Sequence, residues 1–134
     1  MDTEILLGID YGTTKIGVAL GRNDLVMPME EINGKHDLTA VHELTRLILE
    51  NKVAKVIMGL PVTADGKDTY QARKVRRFSK LLKAISKKPV IFCNEYLTTQ
   101  ESLEEGHAKH LLSPSAREDA LAAALILKRY YNEK

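Results

Sequence analysis

The chain has no tryptophan, one cysteine and only 5% aromatic residues, and each shortage removes a class of explanation. A lone Cys93 cannot close an internal disulfide, so a reducing compartment, the cytoplasm, is expected. Its place in the apolar run Pro89-Val90-Ile91-Phe92-Cys93 reads as a buried thiol rather than a nucleophile. With so few aromatics, Tyr11 and Tyr96 are the candidate stacking platforms for a nucleic-acid base. Charge is nearly balanced: 20 Lys and Arg against 18 Asp and Glu leave a net +2, so any attraction for a polynucleotide must be local. No apolar run approaches the ~18 residues of a membrane span, and Asp2 and Glu4 stand where a secretory signal would carry basic residues, so no membrane partner is expected. No Walker A sequence or GxGxxG follows a strand. The 134 residues, 44% of them hydrophobic, predict one domain over residues 1–134 with a respectable core.

What the chain does have is a tight alternation of β and α segments. Ile5 to Ile9 reads as a strand buried on both faces, Tyr11-Gly12-Thr13-Thr14 as a turn, and Ile16, Val18 and Leu20 as the returning strand. A weakly patterned third strand from Val26 to Ile32 suits a sheet edge, and Asn33-Gly34 breaks the chain. Leu38, Val41, Leu44 and Ile48 recur at helical spacing behind Asp37 as N-cap. Val53 to Met58 predicts a buried strand closed by Gly59-Leu60-Pro61. A helix follows from about Thr69 to Ile85, with Ala72, Val75, Ser79, Leu82 and Ile85 inward, and then a strand from Val90 to Cys93. Thr98 with Glu101 and Ser115 with Glu118 have capping-box spacing, the second pair opening a helix that reaches Tyr131. This order predicts an α/β fold of ribonuclease H-like type, a five-stranded mixed sheet with its first three strands antiparallel and helices on both faces.

One carboxylate ends an otherwise apolar strand. Asp10 either fixes the hairpin turn through its own backbone, as Asp often does, or is paired or metal-bound. Gly8-Ile9-Asp10-Tyr11-Gly12-Thr13-Thr14 resembles the first phosphate motif of sugar kinases and actin-like ATPases, but those enzymes close two large domains around ATP and this chain is too short for a second lobe. Glu95 follows the last predicted strand, on the same rim as Asp10 if the later strands run parallel to the first. Asp119 falls in the first turn of the final helix, where the helix dipole favours its ionised form. Each of the two alone is an ordinary surface acid. Three converging carboxylates would repel one another unless a divalent cation neutralised them, and all-oxygen ligands suit Mg²⁺ or Mn²⁺ in phosphodiester cleavage.

Several separated motifs, in order, resemble the YqgF family of Holliday-junction resolvase-like, pre-16S ribosomal RNA nucleases along nearly the whole length. They are Gly8-Ile9-Asp10-Tyr11-Gly12 with Ile16-Gly17-Val18-Ala19, Gly59-Leu60-Pro61 with Asp65-Gly66, Glu95 with Leu97-Thr98-Thr99, and Asp119 before Ala122-Ala123 and Ile126-Leu127. The resemblance implies a ribonuclease H-like fold with Asp10, Glu95 and Asp119 as metal-binding catalytic residues. Two departures stand out. The family usually reads Asp-Glu-Arg-Leu-Thr-Thr where this chain has Asn94-Glu95-Tyr96-Leu97-Thr98-Thr99, and Thr14-Lys15 stands where a Lys-Arg pair is frequent. Tyr96 cannot make an arginine's bidentate phosphate contact but can stack on a splayed base.

Arg73, Arg76, Arg77, Lys80, Lys83 and Lys87 make a basic stripe on the middle helix, which is either a solvated face or a phosphate track. Lys67, Arg73 and Lys74, near the helix start on the rim of Glu95, are the better phosphate candidates, with Lys15 from the hairpin. His107 and His110 have metal-ligand spacing but sit at what reads as a fraying helix end, and His36 and His42 have no matching ligand set. The expected activity is a metal-dependent nuclease, a hydrolase acting on ester bonds in structured nucleic acid. Its partner is ribosomal RNA precursor or branched DNA, and the protein a monomer or homodimer. A junction resolvase would be a C₂ dimer; a binding module that keeps the fold with little catalysis is the alternative from another class.

Overall fold

The computed structural model describes residues 3–96 and 115–133, with the side chains of Tyr96 and of 115–119 outside the description. The Leu97-Thr98-Thr99 motif, the side chains of both expected capping boxes, and His107 and His110 therefore lie outside the described residues. Strands β1 (Ile5–Asp10), β2 (Lys15–Arg22) and β3 (Leu25–Asn33) precede helix α1 (Asp37–Glu50), strand β4 (Val53–Val62), helix α2 (Tyr70–Ser86), strand β5 (Val90–Tyr96) and helix α3 (Ser115–Glu133). The sheet order is β3-β2-β1-β4-β5. β1, β2 and β3 pair antiparallel, and β1, β4 and β5 pair parallel.

Strand alternation divides the core in two. Leu7, Ile9, Ile16, Val18, Val56 and Met58 meet Ala40, Val41, Leu44, Leu47 and Ile48 of α1 and Ala72, Val75, Phe78 and Leu82 of α2. On the other face Leu6, Ala19, Ile57 and Cys93 meet Ala123, Ala124, Ile126 and Leu127 of α3. That second face is thin: a Cβ on Gly8 would stand 2.5 Å from Leu127 Cγ and 2.9 Å from the Ala123 carbonyl oxygen, so only glycine lets α3 lie this close to β1.

Three expectations change. β4 runs on through Gly59 and Pro61 to Val62, because its pairing with β1 stops at Met58 while its pairing with β5 continues to Tyr96. Past Met58 it is an edge, where the missing N–H of Pro61 breaks no ladder. Glu95 consequently lies inside β5, opposite Pro61, rather than after it. In α1 the N-cap is His36, whose side chain makes no capping bond; Asp37 is the first helical residue, and Leu38 is 55% exposed. Thr69 does cap α2, accepting from the Ala72 N–H at 3.0 Å.

Candidate active site

Alternation fixes which side of the sheet each acid occupies. Leu6, Gly8 and Asp10 share the α3 face of β1, and Ile91, Cys93 and Glu95 share it on β5. Between them Gly59 of β4 lies one step beyond the Ile9–Met58 pair, beside Asp10. The carboxyl of Glu95 reaches back over this glycine: a Cβ there would sit 3.1 Å from Glu95 Cδ and Oε1. Both Asp10 and Glu95 are half-buried. The structure thus brings these two together on one face of one rim.

The direction of α3 follows from its contacts. Gly21, paired with Leu6, meets Tyr131, whereas Gly8, two residues up β1, meets Leu127 and the Ala123 carbonyl. The helix therefore runs antiparallel to β1, its start toward Asp10. Asp119 is one turn, ~6 Å, before Ala123, and Asp10 is two strand residues, ~6.6 Å, beyond Gly8. The backbone of Asp119 accordingly reaches the level of Asp10, on the helical stripe of Ala123 and Leu127.

The donors suit a hard cation. Asp10 and Glu95 offer only carboxylate oxygens, and the one thiol nearby is no competitor, since burial, then the Glu133 charge, pushes Cys93 up to about 11. Among the described residues no set of three His, Cys, Asp or Glu side chains is gathered, and the side chain of Asp119 lies outside the description.

The basic candidates fall into different settings. Lys15 pairs with Glu31 at 3.2 Å. Glu31 lies in one row with Asp10 through Gly17 and leaves its Oε2 buried without a hydrogen bond. This acid was not singled out from sequence, although its β3 register opposite Gly17 puts it on the Asp10 row. Lys67 is exposed in the β4–α2 loop, 3.8 Å from the Asp65 carboxylate. Arg73 and Lys74 lie over the ring of Tyr70, at 5.9 and 4.5 Å, and Tyr70 is 68% exposed, an open aromatic among the described residues of this rim.

Tyr11 is not an open platform. Its ring packs on Phe78 with centroids 4.6 Å apart, and its hydroxyl donates to Asp37 Oδ1 at 3.1 Å. Burial, then the Asp37 charge, pushes it up to about 12. Beside it opens a cleft of about 200 Å³ lined by Tyr11, Thr13, Lys35, Asp37, Lys74 and Arg77. Sequence reading does not single out Lys35 and puts Arg77 on the outer stripe; the i,i+3 spacing of Lys74 and Arg77 is the one local feature that sets these two cations on a common helix face.

Comparison with known proteins agrees with this architecture. The family model described as "RuvX: Holliday junction resolvase" matches residues 4–133. A Chloroflexus aurantiacus protein is 33% identical over 140 residues, covering 100% of this chain and 90% of its own length, and a Bordetella pertussis protein is 33% identical, covering 97% and 95%. Both carry the name "Putative pre-16S rRNA nuclease". Among solved structures, T. thermophilus RuvC in complex with a Holliday junction substrate superposes with a TM-score of 0.60 at 16% identity, covering 97% of this chain and 96% of that one. Fowlpox virus resolvase with its junction DNA gives 0.55 at 13% identity, covering 95% and 98%. The likeness to both is one of fold: a five-stranded sheet with helices on both faces, whose first three strands are antiparallel. Matched by motif, by family model and by relatives over nearly all its length, the chain belongs to the RuvX (YqgF) family of Holliday junction resolvases.

Proposed function

We propose that this protein is a cytoplasmic, Mg²⁺- or Mn²⁺-dependent nuclease that hydrolyses a phosphodiester bond in the precursor of 16S ribosomal RNA. Membership of the family makes it a nuclease, a hydrolase acting on ester bonds. The observation that carries the rest is the pair Asp10 and Glu95, on one face of one rim with only Gly59 between them and the start of α3 arriving at the same level. In this reading Asp10, Glu95 and Asp119 hold the cation, whose bound charge offsets that of the phosphate and lowers the pKa of an attacking water. Lys15, Lys67, Arg73 and Lys74 grip phosphates along the rim, and Tyr96 stacks on an unpaired base. Half-burial of the two carboxylates strengthens their attraction for a cation over that of solvated acids.

A second reading, cleavage of four-way DNA, is favoured by the fold shared with two junction-bound resolvases. Cleavage of a 16S precursor fragment and of a synthetic junction, with Mg²⁺ or Mn²⁺, decides between them. The expected result is RNA cleavage by wild type and a loss of at least ~100-fold in Asp10→Asn, the scale reached when even an outer-shell partner of a metal site is removed. Nucleic-acid binding and the fold should survive that change. Symmetric junction cleavage by a stable dimer would move the substrate to DNA. Asp10→Asn cutting as fast as wild type would remove the carboxylate site.

A further inference from the structure

The cleft beside Tyr11 lies across the rim from the carboxylates. Tyr11 follows Asp10 directly, yet its ring packs on Phe78 of α2, on the face opposite α3. The walls are pinned to the strand end that bears Asp10. Gln71 Nε2 donates to the Tyr11 carbonyl at 3.2 Å, and the Gly34 N–H donates to the Thr14 carbonyl at 2.8 Å. Gly34 and Gly12 approach so closely that a Cβ on Gly34 would stand 2.6 Å from the Gly12 carbonyl oxygen. The cleft is therefore built into the rim, not left by a loose loop.

Its charge is distinctive. Lys35, Lys74 and Arg77 line it against one carboxylate, Asp37, which is already engaged by the Tyr11 hydroxyl. Of the other basic groups near the rim, Lys15 is paired with Glu31, Lys67 with Asp65 and Arg76 with Asp68, while Arg73 lies over the Tyr70 ring outside the cleft lining. Among the described residues, none of the three cleft cations is ion-paired to a carboxylate; Lys74 is held only over the Tyr70 ring. The start of α1 borders the same space, and His36 leaves its first-turn N–H groups without a side-chain cap. The positive end of a fourteen-residue helix thus adds to three cations.

We propose that this cleft binds a phosphodiester of the nucleic-acid strand, flanking the bond to be cut, with Arg77, Lys74 and Lys35 as its cationic contacts and Thr13 as a hydroxyl donor. The proposal rests on the nuclease reading above. It gives the rim two functions: carboxylates on the α3 side to act at the scissile phosphate, cations on the α1/α2 side to hold its neighbour. A guanidinium fork offers a phosphate a bidentate contact, and two ammonium groups beside it can reach its remaining oxygens.

The test is binding of a labelled 16S precursor stem with a single-stranded flank, and of a four-way DNA junction, across a salt series in EDTA so that nothing is cut. Wild type, Arg77→Ala, Lys74→Ala with Arg77→Ala, and Lys83→Ala are compared after each is shown to be folded. Each lost contact should lower the log–log salt slope by about 0.7 to 0.9, so the double variant should lose about 1.4 to 1.8. Lys83→Ala, farther along α2, should fall well short of the single loss. Equal slopes for the double variant and Lys83→Ala would overturn the site. A parallel titration with inorganic phosphate, read by amide shifts at Lys35, Asp37 and Leu38, separates the sources. Shifts displaced by the oligonucleotide support a strand phosphate, whereas phosphate binding that oligonucleotide does not displace overturns it in favour of a small anion. If wild type neither binds nor cuts either nucleic acid, the nuclease reading itself falls, a result distinct from strong wild-type binding that ignores Arg77.

Discussion

The two sides of the sheet are built to different thickness, and the acids are on the thin one. Toward α1 and α2 the sheet offers Leu7, Ile9, Val18, Val56 and Met58 to a layer of Leu, Val and Phe side chains. Toward α3 it offers Gly8, Gly21 and Gly59, and the helix answers with Ala123 and Ala124. A thick interface stabilises through buried area, whereas a thin one sets the height of a helix over a strand to within a methyl group. Height is what a carboxylate cluster assembled from distant segments requires. Asp10 and Tyr11, neighbours in the chain, go to opposite sides of this divide, one to the acids and one to the aliphatic layer with its cationic cleft.

The sharpest way to break that contrast is a pair of substitutions. Leu44→Ala, in the fully buried thick layer, should cost about 2 to 5 kcal/mol of stability and leave cleavage per folded molecule unchanged. Gly59→Ala should cost less, about 1 to 3 kcal/mol, because its Cβ would meet the end of Ile126 at 2.7 Å and the Glu95 carboxyl at 3.1 Å. Its effect on cleavage should be far larger, up to ~100-fold, since Glu95 is displaced from its seat and misplacement by about an ångström is enough. Denaturant melts and initial rates on the same preparations read both. Proportional losses in the two variants would erase the distinction between the faces.

Next in size is the hydroxyl of Tyr11. Tyr11→Phe keeps the ring on Phe78 but removes the donor to Asp37, so stability should fall by about 0.5 to 1.5 kcal/mol. The freed Asp37 carboxylate then competes for the cleft cations, and the affinity for nucleic acid should fall with it. Unchanged affinity would mean that the bond serves only to hold α1.

Much of this was legible before the structure. The alternation of Ile16, Val18 and Leu20, the helical spacing behind Gly34 and the apolar spacing from Ala72 to Ile85 each carry a local physical signature, and each element formed where its signature stands. Asp10 was legible because a charge ending an apolar strand has a desolvation cost to offset. Glu95 was placed on the right rim but outside its strand, because Gly59 and Pro61 are read locally as a stop, while pairing with β5 carries β4 through them. Asp37 suits an N-cap by residue type, yet the Tyr11 hydroxyl, 26 residues away, claims its carboxylate. The cleft was illegible for the same reason: residues 11, 35 and 77 meet only through the packing of α1 on α2 and the approach of Gly34 to Gly12. Periodicity places Arg77 on a helix surface but does not tell what stands opposite.

The smallest effect contrasts two adjacent arginines. Arg76 holds Asp68 through Nε at 2.7 Å and Nη2 at 3.0 Å and lies over the Phe92 ring at 5.2 Å, clasping the loop before α2. Arg77 faces the cleft. If the division between structural and substrate cations is real, Arg76→Ala should lower thermal stability slightly and leave the salt slope of binding alone, whereas Arg77→Ala should do the reverse. The pH dependence gives Arg76 a separate signature. Its hydrogen bond holds the Asp68 carboxyl below the usual carboxylate range, so the pair's contribution is present above the unfolded pKa of ~3.9 and is lost as pH falls through the lower folded value. The pair is solvent-exposed, so screening keeps this contribution small. Wild type should therefore lose slightly more of its melting temperature than Arg76→Ala between pH 5 and pH 3, and the two curves should converge at the acid end. Parallel curves would show that the clasp does not contribute to folding, and an altered salt slope in Arg76→Ala would return it to the binding surface.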